Sequence, residues 1–480
     1  MSLEGNTVAT PPRLAVVGGG IAGLAAAHRV LELSHERQRV IDISLFEAGG
    51  RLGGSIATER VDGFLIESGP DAFLSEKPWA LALCKRLGVT DQLIGTREEF
   101  RRTYVVHAGK LHSLPDGFLL LAPTRFLPLL TSRLFSWPGK LRMGLDLVLP
   151  RGTGRRDESL SSFVTRRLGR EALERVAQPL VGGIYTADPD RLSLAATMPR
   201  FLEMERQHRS VILAMWRSQR RAAAQASSSS GARWSLFVSF ANGMQTLVDL
   251  LAQRLPEGTV RLRTPVESLR RNAQGTWQVN DELAYDAVIV ATPAHVTAEI
   301  VRAIDPDLAA ELTGISYTSS ATVTLAYRRE DIPHPLNGFG FVVPSIEKRS
   351  IVACTVSSIK YRGRAPDEYV LLRAFVGGAL QERLFDLDDL GMENAVRREL
   401  QDLLGITAQP VLRRIARHRL AMPQYDVGHL DRMQRIQERL ALLPGLLLAG
   451  NAYRGVGIPD CVHGGEDAAE AAMTLLCGTS

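Results

Sequence analysis

Cysteine is scarce in this chain: Cys84, Cys354, Cys461 and Cys477 are the only four in 480 residues, and no C-x-x-C or metal-ligand spacing joins them. That excludes a disulfide scaffold and a thiolate metal site, and predicts reduced thiols in the cytoplasm. No stretch approaches the roughly 20 apolar residues of a membrane span. Residues 1–12 are polar and contain proline, so no signal-peptide core is expected there. The arginines lack interleaved aromatics, which argues against single-strand nucleic-acid binding, and no repeat or nucleic-acid module is present. No Ser/His/Asp set or metal cluster stands out. The charge excess is small, +5, so it weighs only slightly toward an anionic substrate or membrane surface. With 45% hydrophobic residues, the chain is long enough for two or three globular domains.

What is present is concentrated near the start. Leu14 to Val17 is a short apolar run, as in a parallel strand buried on both faces. Gly18, Gly20 and Gly23 follow as G-x-G-x-x-G, and the helix opening at Ile21 and Ala22 offers free N–H groups and a positive dipole to a phosphate. Ile41 to Phe46 forms a second strand ending at Glu47, placed to accept from an adenosine ribose. Beyond it, Ala48 leads to Arg51-Leu52-Gly53-Gly54, where adjacent glycines let the chain run along a second stretch of cofactor.

Glu47 to Gly54 matches E-x-x-x-R-x-G-G without departure and resembles the flavin amine oxidase superfamily; Gly69 and Pro70, within Glu67-Ser68-Gly69-Pro70, resemble its E-x-G-P element beside the flavin. The resemblance implies noncovalent FAD, since no cysteine matches the covalent attachment site of amine oxidases. It also implies an α/β and α+β fold: a discontinuous Rossmann-like FAD-binding domain of the p-hydroxybenzoate hydroxylase (GR2) type, a mixed-sheet substrate domain and a helical insertion. The FAD domain is expected at 12–97, 235–297 and 426–476, the substrate domain at 98–115 and 298–425, and the insertion at 116–234. Within these pieces, Val266 corresponds to a backbone contact to adenine. Ala291 ends a YDxVIxAxP-like strand. Gly450, Asn451, Gly455, Val456 and Gly457 form a loop facing the flavin ring. The insertion mixes LLLAP, FLPLL and LFSW with arginines, suiting a peripheral membrane patch, an apolar substrate mouth or plain helix core. Arg217 to Gly231 reads as a disordered surface loop.

Later segments resemble protoporphyrinogen oxidases in particular: GIYTADP with Leu192-Ser193, SSIKYRGRAP, MPQYDVGH, and Gly450-Asn451 through Cys461. Thr186, Ala187, Tyr361 and Arg362 depart from the family pattern. The resemblance, spanning about Leu14 to Leu476, implies oxidation of protoporphyrinogen IX in three two-electron steps. O2 is the expected acceptor and H2O2 a product. Coproporphyrinogen III is the alternative substrate. An amine oxidase is disfavoured, because Ile315 to Tyr327 lacks the lysine those enzymes place near the flavin. A noncatalytic flavin-binding protein is the reading from another class. Arg102, with Arg101 in reserve, is the candidate propionate ligand, Gly183 the candidate carbonyl acceptor for a pyrrole N–H, and Tyr361 the candidate stacking ring. His429 is expected to be structural. Hand-over to ferrochelatase, a homodimer and peripheral contact with the inner face of the cell membrane complete the expectations.

Overall fold

The computed structural model describes residues 10–115, 118–119, 122–123, 126–152, 157–226, 235–280 and 283–478. Three separated stretches of chain build one five-stranded parallel sheet. Its order is Val260–Arg261, Asp42–Phe46, Arg13–Val17, Ala287–Val290 and Leu446–Leu448. Leu14 to Val17 and Ala287 to Val290 are buried because both faces are covered, one by helices and the other by helices together with a three-stranded antiparallel sheet of Leu269–Arg271, Trp277–Val279 and Leu283–Tyr285. On one face the helices Ile21–Glu36 and Ile458–Cys477 pack so closely that a Cβ on Gly465 would sit 2.2 Å from the Ala22 carbonyl oxygen. Both helices begin at the carboxyl ends of the strands, where open α/β sheets bind ligands.

A second, seven-stranded mixed sheet runs Leu412–Pro423, Tyr317–Arg328, Tyr369–Gly377, Ala353–Val356, Gly340–Val342, Thr103–His107 and Lys110–Ser113. Only the pairing of Gly340–Val342 with Thr103–His107 is parallel. The two-residue period of the strands divides its side chains between two faces. Ala321, Val323, Leu325, Val370, Leu372, Ala374 and Val376 enter one core, which includes residues of the helix Asp389–Leu404. Thr322, Thr324, Arg373 and His418 are absent from that core. Three of them reach instead into the first domain.

The intervening stretch is mostly helical: Phe126–Thr131, Trp137–Gly144, Leu160–Leu168, a run from Arg170 to Tyr185, Leu194–Thr197, Pro199–His208 and Val211–Ala226. It has its own core. The Arg170–Tyr185 run switches to π-helix over Leu173–Ala177, just ahead of Pro179, which lacks the N–H needed to continue an α-helical ladder. Arg167, almost wholly buried, is locked between Asp146 at 2.5 Å and the carbonyls of Asp146 and Arg209. The expectation of a loop over 217–231 is corrected through residue 226, which ends a helix; 227–231 lie outside the described residues. Among the described residues no helix is long and apolar enough to cross a membrane.

Candidate cofactor and substrate site

The crevice at the carboxyl ends of the parallel strands is shaped by positions that exclude side chains. Gly18 has φ +107°, and a Cβ there would lie 2.8 Å from the Ala291 carbonyl oxygen; one on Gly23 would lie 2.0 Å from that of Gly18. Gly20, by contrast, faces open space, with nothing within 4 Å of an added Cβ. The N–H groups of Ile21, Ala22 and Gly23 have no backbone or side-chain acceptor among the described residues, and Gly20 supplies no capping side chain. Free donors at a helix N-terminus beside an open space suit an anionic diphosphate.

Glu47 closes the adenosine side. Its carboxylate accepts from Gly19 N at 2.8 Å and Gly49 N at 2.6 Å, leaving lone pairs for a ribose hydroxyl. Its backbone carbonyl accepts from Thr264 N at 2.9 Å, which brings Val266 alongside. The backbone N–H and C=O of Val266 have no partner among the described residues. Ala48 is exposed at this rim. Arg51 turns back on its own loop, donating to the carbonyls of Leu52 at 3.0 Å, Ile56 at 2.8 Å and Gly54 at 2.5 Å. It therefore shapes the glycine pair.

Gly53 N donates to Gly19 O at 2.8 Å, and the Cβ of a residue replacing Gly69 would fall 1.8 Å from Ser55 O. Gly53, Gly54, Gly69 and Pro70 thus extend the crevice from the phosphate turn toward the second sheet. Gly450 approaches from the other side, near Thr292 O, and Asn451 Nδ2 donates to Ala421 O at 3.2 Å on the strand Leu412–Pro423. Gly455 and Gly457 wrap the Asp460 carboxylate, which Lys77 holds at 2.6 Å; Val456 packs on the core of the helical stretch.

Behind Ser68–Pro70 lies a charged cluster that sequence reasoning missed. Thr322 Oγ1 donates to Ser68 O at 3.1 Å, His418 Nε2 lies 2.8 Å from the same oxygen, and Arg373 bonds to the carbonyls of Ser68 and Gly69. Asp71 pairs with Lys360 at 2.9 Å, and that lysine, with Arg373, holds its carboxyl below the ordinary carboxylate range despite burial. Burial pushes the Glu67 carboxyl up, opposed by bonds from Met244 N and Thr58 Oγ1. One signal was available: Arg373 is the single charge in the apolar strand YVLLRAFVG.

Tyr361 requires a correction. Its side chain is 1% exposed and lines a cavity of about 10 Å³ with Glu67, Arg364 and Arg373. Arg364 stands over the ring at 5.3 Å from its centre. Buried there, the ring presents no face on which a macrocycle can stack.

Gly183 sits in the last turn of the helix Gln178–Tyr185, exposed, with nothing within 4 Å of an added Cβ. Its carbonyl has no donor among the described residues: the helix ends at Tyr185, and Thr186 N takes Gly182 O. Thr186 turns the chain there at φ +48°, in contact with Gly378. Arg101 and Arg102 are both exposed at the head of Thr103–His107, and neither side chain has an ion-pair partner among the described residues. Among the described residues no hydrogen bond joins either arginine to Gly183. His429 is buried, stacked on Tyr425 with ring centres 4.1 Å apart, and burial pushes its imidazole down to about 4. A neutral packed ring of this kind is structural.

The model of the family described as flavin containing amine oxidoreductase matches residues 21–473. The chain belongs to this family. It is similar to the coproporphyrinogen III oxidase of Bacillus subtilis (strain 168), 35% identical over 96% of this chain and 98% of that one. It is also similar to the protoporphyrinogen oxidase of Bos taurus, 31% identical over 95% and 97% of the two chains. A solved structure from Exiguobacterium sp. 255-15, provisionally called a protoporphyrinogen oxidase, superposes with a TM-score of 0.83 at 31% identity, covering 96% of this chain and 98% of that one. This family member is an FAD-dependent oxidoreductase. The unpartnered helix N-terminus, the glycine-lined crevice and the anchored Glu47 fit FAD.

Proposed function

We propose that this enzyme oxidises protoporphyrinogen IX to protoporphyrin IX in haem biosynthesis, with O2 reduced to H2O2. The observation that carries the proposal is similarity along nearly the whole chain to porphyrinogen oxidases, 31% identity to the protoporphyrinogen oxidase among them. Each two-electron step removes a hydride and a proton from the macrocycle; three steps consume three O2 and release three H2O2. FAD, held noncovalently, supplies the hydride acceptor. The protein binds and orients. Gly18, Gly20, Ile21, Ala22 and Gly23 hold the diphosphate; Glu47, Ala48 and Val266 hold the adenosine. Arg51, Gly53, Gly54, Gly69, Pro70 and Ala291 line the middle, and Gly450, Asn451, Gly455, Val456 and Gly457 approach the ring. Arg102, or Arg101, takes a propionate through a two-bond guanidinium contact, and the free Gly183 carbonyl accepts a pyrrole N–H.

A second reading, coproporphyrinogen III, is favoured by the higher identity to the B. subtilis enzyme, 35%. Exposed Leu127, Trp137, Leu141 and Val148 beside Arg133 support peripheral contact with a membrane, from which product would pass to the iron-inserting enzyme of the pathway. Parallel aerobic assays on the two porphyrinogens, reading porphyrin fluorescence and peroxide, test the substrate assignment. Faster turnover of protoporphyrinogen IX is expected; selective turnover of coproporphyrinogen III would establish the second reading, and no turnover of either would reject both.

A further inference from the structure

Three cations, Lys360, Arg364 and Arg373, face two carboxylates, Glu67 and Asp71, in the buried cluster behind Ser68–Pro70. Asp71 is taken by Lys360 at 2.9 Å. Arg364 spends its donors on Ser239 Oγ at 2.9 Å and on the carbonyls of Phe240 and Ala241. Glu67 accepts from Thr58 Oγ1 at 2.8 Å and Met244 N at 2.9 Å. Among the described residues Arg373, 4% exposed, has no carboxylate within 4.0 Å; its hydrogen bonds there go to the Ser68 and Gly69 carbonyls, and its Nε has none. A buried guanidinium whose hydrogen-bond partners are all neutral, with Asp71 and Glu67 acting on it only from beyond contact, is costly to keep.

Where Arg373 points gives that cost a use. Ser68–Pro70 and Gly450–Asn451 converge on the same strand: His418 meets Ser68 O at 2.8 Å, and three residues along, Ala421 O receives Asn451 Nδ2 at 3.2 Å. Both segments continue the crevice that begins at the free helix N-terminus. We propose that Arg373 is a positioning residue whose buried charge, in direct contact with no carboxylate and carried on the Ser68–Gly69 carbonyls, stabilises the negative charge of the reduced flavin and so raises its reduction potential. This rests on FAD occupying that crevice, and is independent of which porphyrinogen is oxidised. A neighbouring opposite charge moves a buried equilibrium by roughly ten- to a thousandfold. The intervening backbone places Arg373 at the low end, about tenfold.

The test is the two-electron midpoint potential of the flavin in the holoenzyme, measured by anaerobic dye titration without porphyrinogen. Arg373→Gln is expected to lower the reduction equilibrium constant about tenfold, which is about 30 mV for two electrons. Arg373→Lys, which keeps the charge, should stay near the wild-type potential. Thr322→Val, which removes a neutral bond to Ser68 O, should leave the potential unchanged whatever it does to stability. A flavin-replete Arg373→Gln enzyme with the wild-type potential would overturn the proposal. If that variant loses its flavin, Arg373→Lys decides: a wild-type potential supports the charge argument, and a tenfold fall contradicts it. An unshifted potential alongside normal porphyrinogen turnover would reject this role alone, leaving the proposed reaction intact.

Discussion

Single residues in this site divide by whether their bonding is complete. Glu47 and Arg51 have committed partners within the fold, whereas among the described residues Arg101, Arg102 and the Gly183 carbonyl do not. An exposed arginine with no ion-pair partner contributes little to stability. Arg102→Ala should therefore leave the melting temperature and FAD content unchanged. It should raise KM for the porphyrinogen roughly 10- to 100-fold, the scale of a lost charge-assisted contact of about 1.5–3 kcal/mol. Steady-state kinetics beside flavin quantitation checks this, and the same effect from Arg101→Ala alone would move the ligand by one position. The glycine fingerprint and Glu47 were legible in the sequence because each has a local geometric job within a short segment. Tyr361 was misread because its burial depends on how the nearby Arg364 and Arg373 fold over it and on Glu67, which lies far away in the chain. Arg373 was legible only as an odd charge in an apolar strand.

At the scale of elements, the cofactor crevice depends on two helices held at close range. A Cβ on Gly465 would sit 2.2 Å from Ala22 O, so Gly465→Ala must push Ile458–Cys477 away from Ile21–Glu36. Overpacking of this kind costs about 1–3 kcal/mol. The variant should melt several degrees lower and release FAD more readily on dilution, because the helices carry the diphosphate turn and follow the ring loop. The parallel strands were readable from short apolar runs, and the buried helices from their spacing. The close approach itself was not readable, since Gly465 offers no side chain to pattern. Nor was the continuation of the helix Val211–Ala226 past residue 216 apparent: its later residues, arginine- and alanine-rich, carry a polarity that resembles a loop, while Val211, Ile212, Ala214 and Met215 bury its first turns. Thr322, Arg373 and His418 stand on three strands of one sheet, and their convergence on Ser68 O required the fold.

At the scale of the whole molecule, acid should weaken the fold. Burial lowers the pKa of His28, His107, His295, His334, His418 and His429, the last to about 4. An unfolded histidine titrates near 6.5. Between about 6.5 and 4 the unfolded chain therefore binds protons that the folded chain refuses, so stability is retained above that window and lost as pH falls through it. His429 alone accounts for about 3 kcal/mol on this scale. Denaturant melts at several pH values should show the decline, and His429→Gln should flatten it. The central claim, that the flavin of this enzyme accepts the electrons of a porphyrinogen, is tested most directly by anaerobic mixing of protoporphyrinogen IX with excess holoenzyme while both absorption bands are followed. The account predicts bleaching of three flavins for each porphyrin formed. A flavin band that stays unbleached while the porphyrinogen persists would contradict it.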